Sequence, residues 1–309
     1  MTYEIILSLL RRTLVAGTPL LLGTLGEVIA ERSGVLNLGI EGMMSFGAVS
    51  AFIITFSTGN PWLGFLLATV FTGLFSLFHG FISVTLRANQ VVSGLALTML
   101  GLGISGLWGK PFIGRPLSIR MESISIPGLS DMPFFGEFLF SHDPIFYIAV
   151  ALGIIAWFFL KYTRPGIVLR SVGENPRAAE AQGIRVNAVR YIAVMIGGAF
   201  SGMAGAHLSI AYSKSWNEGM TAGRGWIVIA LTIFSLWNPS RAFLGAFLFG
   251  GIFVLQYILQ PFGISPNLLA MLPYLTTLAV LFIYGVSEWG HRKMSPPETL
   301  GESYRRGER

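Results

Sequence analysis

Six stretches of the chain, 42–86, 88–109, 144–160, 191–213, 225–240 and 242–287, contain no Asp, Glu, Lys or Arg. One such side chain at the centre of a bilayer costs about 2.5–3.5 kcal/mol on insertion scales, so these are the stretches that can cross lipid. About 20 residues span the hydrocarbon, and the first and last stretches are each long enough for two helices. Turn formers divide them, Gly59-Asn60-Pro61 in the first and Gln260-Pro261-Phe262-Gly263 in the last. With the apolar run 13–30 added, the pattern predicts nine crossings: 13–30, 38–57, 62–86, 89–109, 144–161, 189–212, 224–237, 241–260 and 267–286. The fold class is an all-α polytopic membrane protein. The seventh segment is short, and the first carries Glu27.

Composition agrees. Of 309 residues, 53% are hydrophobic and only 12% are charged, against roughly 25% in soluble domains. A mean hydropathy of +0.66 leaves more apolar surface than one soluble core of this size hides, so lipid is a partner of the chain. The absence of cysteine excludes a disulfide framework, a thiolate zinc site and a cysteine nucleophile. The pI near 9.8 does not point to nucleic acid, because the basic residues lie in short loops between apolar runs.

Those loops set an orientation. The stretch 161–190 carries Lys161, Arg164, Arg170, Arg177, Arg185 and Arg190 against Glu174 and Glu180, whereas the loop 110–143 is nearly balanced. The basic loop is therefore expected in the cytoplasm. Alternation then puts Arg32, Arg87, Arg241 and the tail from about 288 on the same side, with the N-terminus outside. Arg11 and Arg12 oppose that arrangement. An N-inside alternative needs one more crossing or a re-entrant element at 24–38. No cleavable signal peptide is expected, because Arg11 and Arg12 precede an apolar run that contains Pro19 and lacks a small-residue cleavage site. The expected organisation is one transmembrane domain over 1–309, with the cytoplasmic loop at 161–190.

An internal echo is visible. Asn60-Pro61 precedes a Gly/Phe-rich span, and so does Asn238-Pro239; alternation puts the two dipeptides on opposite sides. That is the placement of an inverted repeat, although Asn-Pro turns between helices are also common independently.

Three stretches carry candidate chemistry. In Arg170 to Ile184, Asn175 suits an N-cap, Pro176 a first helical position and Gly183 a left-handed end, so 176–182 should form a two-turn helix. Ala178, Ala179 and Ile184 beside Arg177 and Glu180 then offer a small-residue surface to a partner's groove; the alternative is a helix resting on the membrane surface. In Gly26 to Met44, carboxylates, an Arg and an Asn alternate with glycines at the join of two apolar segments. Polar groups at membrane depth face protein or a water-filled cavity. Asn37 and Glu41 are the candidates for interior contacts, while Glu31 and Arg32 read as a solvated turn. In Arg87 to Gly94, Asn89 and Gln90 could bond a polar solute, with capping and interhelical bonding as alternatives. The glycines of Gly197 to Gly205 read as close helix packing. His79 and His207 lack a second ligand at a metal spacing and read as buried hydrogen-bonding groups, so no metal is expected.

Catalytic patterns are missing. Gly109-Lys110 is followed by Pro111, so there is no P-loop, and neither H-E-x-x-H nor G-x-S-x-G occurs. An enzyme is not expected, and no catalytic residue is assigned.

Four blocks in order, G-x-x-x-x-E-R-S-G-V-L-N-L-G-I-E-G-M-M (Gly26 to Met44), N-P-W-L-G (Asn60 to Gly64), R-A-N-Q-V-V-S-G (Arg87 to Gly94) and R-S-V-G-E-N-P-R-A-A-E-A-Q-G-I (Arg170 to Ile184), resemble the permease subunits of bacterial ABC importers of the branched-chain amino acid and ribose type. Within that group the chain is similar to the shorter permease of nucleoside or simple-sugar uptake systems. The resemblance implies a vitamin B12-importer-like fold with an inverted pseudo-repeat. It implies that Gly173, Glu174, Asn175, Pro176, Arg177, Ala178, Ala179, Glu180, Gly183 and Ile184 form the coupling helix that seats in a cytoplasmic ATPase subunit. It further implies a second homologous permease, an external substrate-binding lipoprotein and residence in a prokaryotic inner membrane. ATP would be bound by the partner, with no cofactor on this chain. Asn37, Glu41, Asn89 and Gln90 are the candidates for the substrate path. Nucleosides are preferred as solute, since neutral polar path residues and aromatics such as Trp108, Trp216 and Trp226 suit a base-bearing molecule; such a path would also pass a sugar. An ion-driven secondary transporter is the alternative from another class, disfavoured by the scarcity of charge in the helices. A structural scaffold is disfavoured by the Asn and Glu at depth.

Overall fold

The computed structural model describes residues 2–119, 121–132, 135–286 and 296–305. In chain order the helices are α1 (Thr2–Glu31), α2 (Ile40–Thr58), α3 (Pro61–Gly80), α4 (Gln90–Gly109), α5 (Phe135–Leu139), α6 (Pro144–Tyr162), α7 (Arg164–Glu174), α8 (Pro176–Ala181), α9 (Val186–Ala206), α10 (Arg224–Phe234), α11 (Pro239–Leu259), α12 (Pro266–Ala270) and α13 (Leu272–Val286). Wide turns extend α3 to Thr85 and α9 to Tyr212. Two short antiparallel strands, β1 (Ile124–Ser125) and β2 (Ser141–His142), pair within the loop 110–143.

Among the described residues, seven helices are long and apolar enough to cross a membrane. The other two predicted segments are helical but shorter. α10 has 11 residues, because the chain from Ser213 to Gly223 is irregular and Leu236 and Trp237 adopt left-handed backbone just past its end. The ninth segment is split into α12 and α13, where Pro273 lacks the N–H that a continuous helix needs. The first begins well before the expected residue 13, since Ile5, Ile6, Leu9 and Leu10 prolong the apolar pattern.

Five helix starts share one local chemistry. Asn60, Asp143, Thr163, Asn175 and Asn238 each accept a backbone N–H of the first turn through the side chain, with proline in the first two helical positions. The proline takes a place where no N–H partner exists and its fixed φ suits the helix.

The core lies where α1, α2, α3 and α9 pack together. Small residues permit the approach: Gly198 and Gly202 of α9 abut Thr72, Ser76 and Ala68 of α3, while Gly205 abuts the backbone of Met44 and Ala48 in α2. The expected glycine packing is observed.

The two ends of the bundle are distinct. Arg11 donates to the carbonyl of Ser141 at 2.8 Å and lies 3.7 Å from Glu137, so the start of α1 is at the end that carries the 110–143 loop. The other end carries α7, α8 and the segment 296–305. Arg11, which opposed the sequence-based orientation, is thus held by a loop carbonyl and a carboxylate. Asn60 and Asn238 sit at opposite ends, Asn60 beside Gly59 and Ile119, Asn238 beside Arg32 and Arg170. Their helices pack reciprocally, α3 along α9 and α11 along α1.

Candidate functional site

The stretch 170–184 folds as its cap chemistry requires. Asn175 Oδ1 accepts the Ala178 N–H at 2.9 Å, Pro176 opens α8, and Gly183 closes it at φ +81° with open space around it. α7 and α8 form an elbow at one end of the bundle, so 161–190 is an ordered helical pair. Glu174, Asn175, Arg177, Ala178, Ala181, Gln182 and Gly183 are exposed. Ala179 is not: it is 3% exposed and packs against Val172 and Val186, with Ile184 and Tyr304 beside them. That corrects the expected surface, because a two-turn helix lying on a base must turn one of its small residues inward. Glu180 accepts the Tyr304 hydroxyl, and so also faces protein.

What holds the elbow is the segment 296–305. The Thr299 N–H and Oγ1 both donate to the Gly173 carbonyl, at 3.0 and 2.7 Å, and the Gly301 N–H reaches the Gly34 carbonyl. Arg190, 1% exposed, donates from Nε to the Ser33 carbonyl, from Nη1 to the Glu302 carbonyl and from Nη2 to Thr299 Oγ1, at 3.1–3.3 Å. Sequence reasoning missed this clasp; Arg190 looked like one more orientation-setting cation.

Arg32 and Glu31 also depart from the expected solvated turn. Glu31 is buried and accepts Trp237 Nε1. Arg32 donates to the carbonyls of Trp237 and Leu236 and pairs with Glu174 at 3.5 Å. Burial lowers the Arg32 pKa, Glu174 raises it and the nearby Arg170 lowers it further. Both residues are drawn inward because the left-handed turn at Leu236 and Trp237 aims two carbonyls and an indole N–H at the end of α1.

Deeper in the bundle, residues 32–39 run without helical structure along α4. The Leu36 N–H donates to Gln90 Oε1 at 2.7 Å, and Thr98 Oγ1 donates to the Leu38 carbonyl. The start of α2 therefore lies level with the middle of α4, within the membrane thickness. Here Glu41 meets the start of α10. Its Oε1 accepts Thr221 Oγ1 at 2.5 Å and the Gly223 N–H at 2.9 Å, and its Oε2 accepts the Gly225 N–H at 2.6 Å. α10 has no side-chain cap of its own, so a carboxylate from another helix supplies one. Gly223 adopts φ +77°, and a side chain at Gly225 would strike the Glu41 backbone. Arg224 follows, packed over Phe253 and Tyr212 at 4.6 and 5.7 Å from the ring centres. Two interrupted helices meeting start to start at depth is an arrangement found at polar sites of transporters.

The four candidate path residues divide. Asn37 is buried, donating to Glu27 and accepting the Gly39 N–H. Gln90 is buried and bridges Leu36 to the Glu302 carbonyl. Glu41 caps α10, and Asn89 is exposed as the cap of α4, accepting the Val92 N–H. Capping and interhelical bonding, the alternatives left open for Asn89 and Gln90, occupy both side chains. Trp216 is buried against Gly109, whereas Trp108 and Trp226 are exposed. His79 bonds Ser93 and the Leu36 carbonyl, and His207 faces Asp143. Both are buried hydrogen-bonding groups, as expected.

A mostly helical chain with seven helices long and apolar enough to cross a membrane among the described residues, a polar junction at depth and a capped elbow presented at one end has the parts of a membrane transport subunit. The chain belongs to the family described as branched-chain amino acid transport system / permease component, which matches residues 9–281. It is a transport subunit and not an enzyme. It is 40% identical to the putative glucose ABC transporter permease protein TsgC13 of Haloferax volcanii, over 96% of this chain and 97% of that one. It is 38% identical to the guanosine ABC transporter permease protein NupQ of Bacillus subtilis, over 87% of this chain and 89% of the other. The nucleoside ABC transporter permease protein NupC of Lactococcus lactis is 34% identical, over 88% and 90%. The resemblance to ABC importer permeases is thereby borne out at the level of the family. No solved structure matches.

Proposed function

We propose that the chain is one of two permease subunits of an ATP-driven importer for nucleosides, in a prokaryotic inner membrane, with nine crossings arranged as an inverted repeat of the vitamin B12-importer type. The repeat reading rests on the matched Asn-Pro caps at opposite ends of the bundle and on the reciprocal pairing of α3 with α9 and α11 with α1. The end that carries α7 and α8 faces the cytoplasm, where a separate ATPase binds and hydrolyses ATP. An external lipoprotein delivers the solute to the opposite end. The observation that carries the coupling role is the capped helix α8, seated on its own hydrophobic base and presenting Asn175, Arg177, Ala178 and Ala181 outward. The solute path runs past the junction of α2 and α10, with Asn37, Glu41, Asn89 and Gln90 at or near its wall.

Two relatives named for nucleosides support that solute class. A sugar is the second reading, favoured by the glucose-named relative, whose 40% identity exceeds the 38% of the guanosine permease. The test is reconstitution with the cognate permease, ATPase and receptor in proteoliposomes. Guanosine accumulation that unlabelled glucose does not compete supports the nucleoside reading, and the reverse establishes the sugar. Ala178→Arg should abolish substrate-stimulated ATP hydrolysis with the complex still folded; full stimulation in that variant refutes the coupling role of α8. Uptake by the chain alone under an ion gradient without ATP would refute the importer itself.

A further inference from the structure

At the end of the bundle that carries α7, the end of α6, Arg170 of α7 and the start of α11 line an open cavity of about 340 Å³. Its lining includes four cations, Arg32, Lys161, Arg170 and Arg241, and, among the described residues, no acidic side chain. Arg32 is engaged with two carbonyls and Glu174. The other three have no carboxylate partner among the described residues, and Arg170 Nε is buried with no hydrogen-bond partner. A buried guanidinium N–H without an acceptor costs free energy, so the cavity is built for an occupant that accepts hydrogen bonds and carries negative charge. Lys161 lies 5.2 Å from the ring centre of Trp157, which also lines the cavity, and the indole marks the level where apolar and polar surroundings meet. Immediately beyond, Ile154, Ile155 and Phe158 of α6 and Leu244 of α11 are exposed on the outer wall of the bundle, an apolar face for acyl chains.

We infer that this cavity binds the phosphate of an anionic phospholipid, with Arg170, Lys161 and Arg241 around the headgroup and the acyl chains lying along α6 and α11. Basic pockets between helix ends at the membrane surface take such headgroups. The neighbouring Arg170 and Arg32 repel one another, and an anion between them would relieve that. The inference depends on the chain lying in a bilayer and not on its being an importer, so failure of either leaves the other standing.

The test is native mass spectrometry of the purified full chain in neutral detergent, supplied with phosphatidylglycerol or phosphatidylcholine. The expected result is about tenfold greater retention of phosphatidylglycerol, lost in the triple variant Lys161→Gln, Arg170→Gln, Arg241→Gln and kept in the control Arg164→Gln, Arg185→Gln. Should the triple variant not fold, Arg170→Gln alone should lower retention severalfold. Equal retention of the two lipids, or a preference that survives the substitutions, overturns the inference. Displacement of the lipid by an equal concentration of inorganic phosphate overturns it in favour of a soluble anion. Unchanged lipid preference with loss of ATPase co-purification overturns it in favour of a protein partner.

Discussion

Glu41→Gln separates a structural from a path-lining use of this side chain. All three partners of the carboxylate are donors, Thr221 Oγ1 and the N–H groups of Gly223 and Gly225. A glutamine keeps one accepting oxygen, and its NH₂ must face one of those donors, leaving that donor buried and unpaired. A hydrogen bond to a charged group contributes about 1.5–3 kcal/mol, and a negative charge at a helix start a further 0.3–1 kcal/mol or so. The expected loss is therefore about 2–4 kcal/mol, concentrated at the start of α10. Since 1.4 kcal/mol is a factor of ten, hydrogen exchange of the amides at 223–228 should quicken roughly 30-fold or more when measured by mass spectrometry in nanodiscs. The melting temperature should fall by several degrees. Thr221→Val, which removes one donor and keeps the other two, should cost about 1 kcal/mol. Unchanged exchange at 223–228 together with altered solute selectivity would refute the cap and make Glu41 a wall of the path.

Ala178→Arg and Ala179→Arg should differ in kind. The first leaves the melting temperature of the isolated chain unchanged and blocks the partner, whereas the second forces a charge onto the Val172 and Val186 base and lowers that temperature; identical melting curves would contradict the burial of Ala179. Arg190→Ala leaves the Ser33 carbonyl without its donor and the Glu302 carbonyl with Gln90 alone, and should destabilise by about 2–3 kcal/mol, read as faster exchange across 173–184 and 299–304. Thr299→Ala removes a weaker share of the same clasp and should raise exchange at 173–184 about tenfold, and exchange at the wild-type rate would show that 296–305 does not hold the elbow. Trp237→Phe takes the indole N–H from buried Glu31 and should lower stability by about 1–3 kcal/mol in a thermal melt; an unchanged melt would contradict the role of this bond.

The helical pattern was legible because its causes are local. A charge is excluded from lipid wherever it stands in sequence, so the charge-free stretches located the spans. Asn175-Pro176 and Gly183 specified α8 through the three or four residues between them. The points that escaped depend on partners far along the chain. Ala179 and Ala178 are the same residue type one position apart, and only Val172 and Val186 distinguish them. Glu41 and Gly225 are 184 positions apart, and nothing in either neighbourhood announces the other. Arg32 and Arg190 satisfied the charge count for orientation, yet both are committed to carbonyls of other elements. Counting basic residues treats them as solvated, and at helix ends folded over by a returning segment they are not. α10 was drawn too long for a related reason, since apolar residues continue past Phe234 while the left-handed turn at Leu236 and Trp237 stops the helix.

These distant contacts close into a ring. From Glu31 the chain passes through 32–39, bonded to α4 at Leu36 and Leu38, to Glu41 at the start of α2. Glu41 holds the start of α10, and just beyond the other end of α10 Trp237 returns to Glu31. The elbow of α7 and α8 is attached to this ring where Gly173 abuts the Arg32 backbone and Glu174 pairs with the Arg32 side chain, and again through 296–305, where Thr299 holds the Gly173 carbonyl and Gly301 the Gly34 carbonyl. A force applied to α8 therefore enters the ring at Arg32 and reaches Glu41 either through the carbonyls of Leu236 and Trp237 and along α10, or directly along 32–39, a stretch without regular helix. Segments of this kind absorb backbone rotation more readily than the helices they join. Contiguity supplies the route, and energy passes along it only if the ring has two arrangements. Capping α10 with a carboxylate carried on α2 makes this possible, because the two helix starts separate or stay together as a unit according to whether three hydrogen bonds hold.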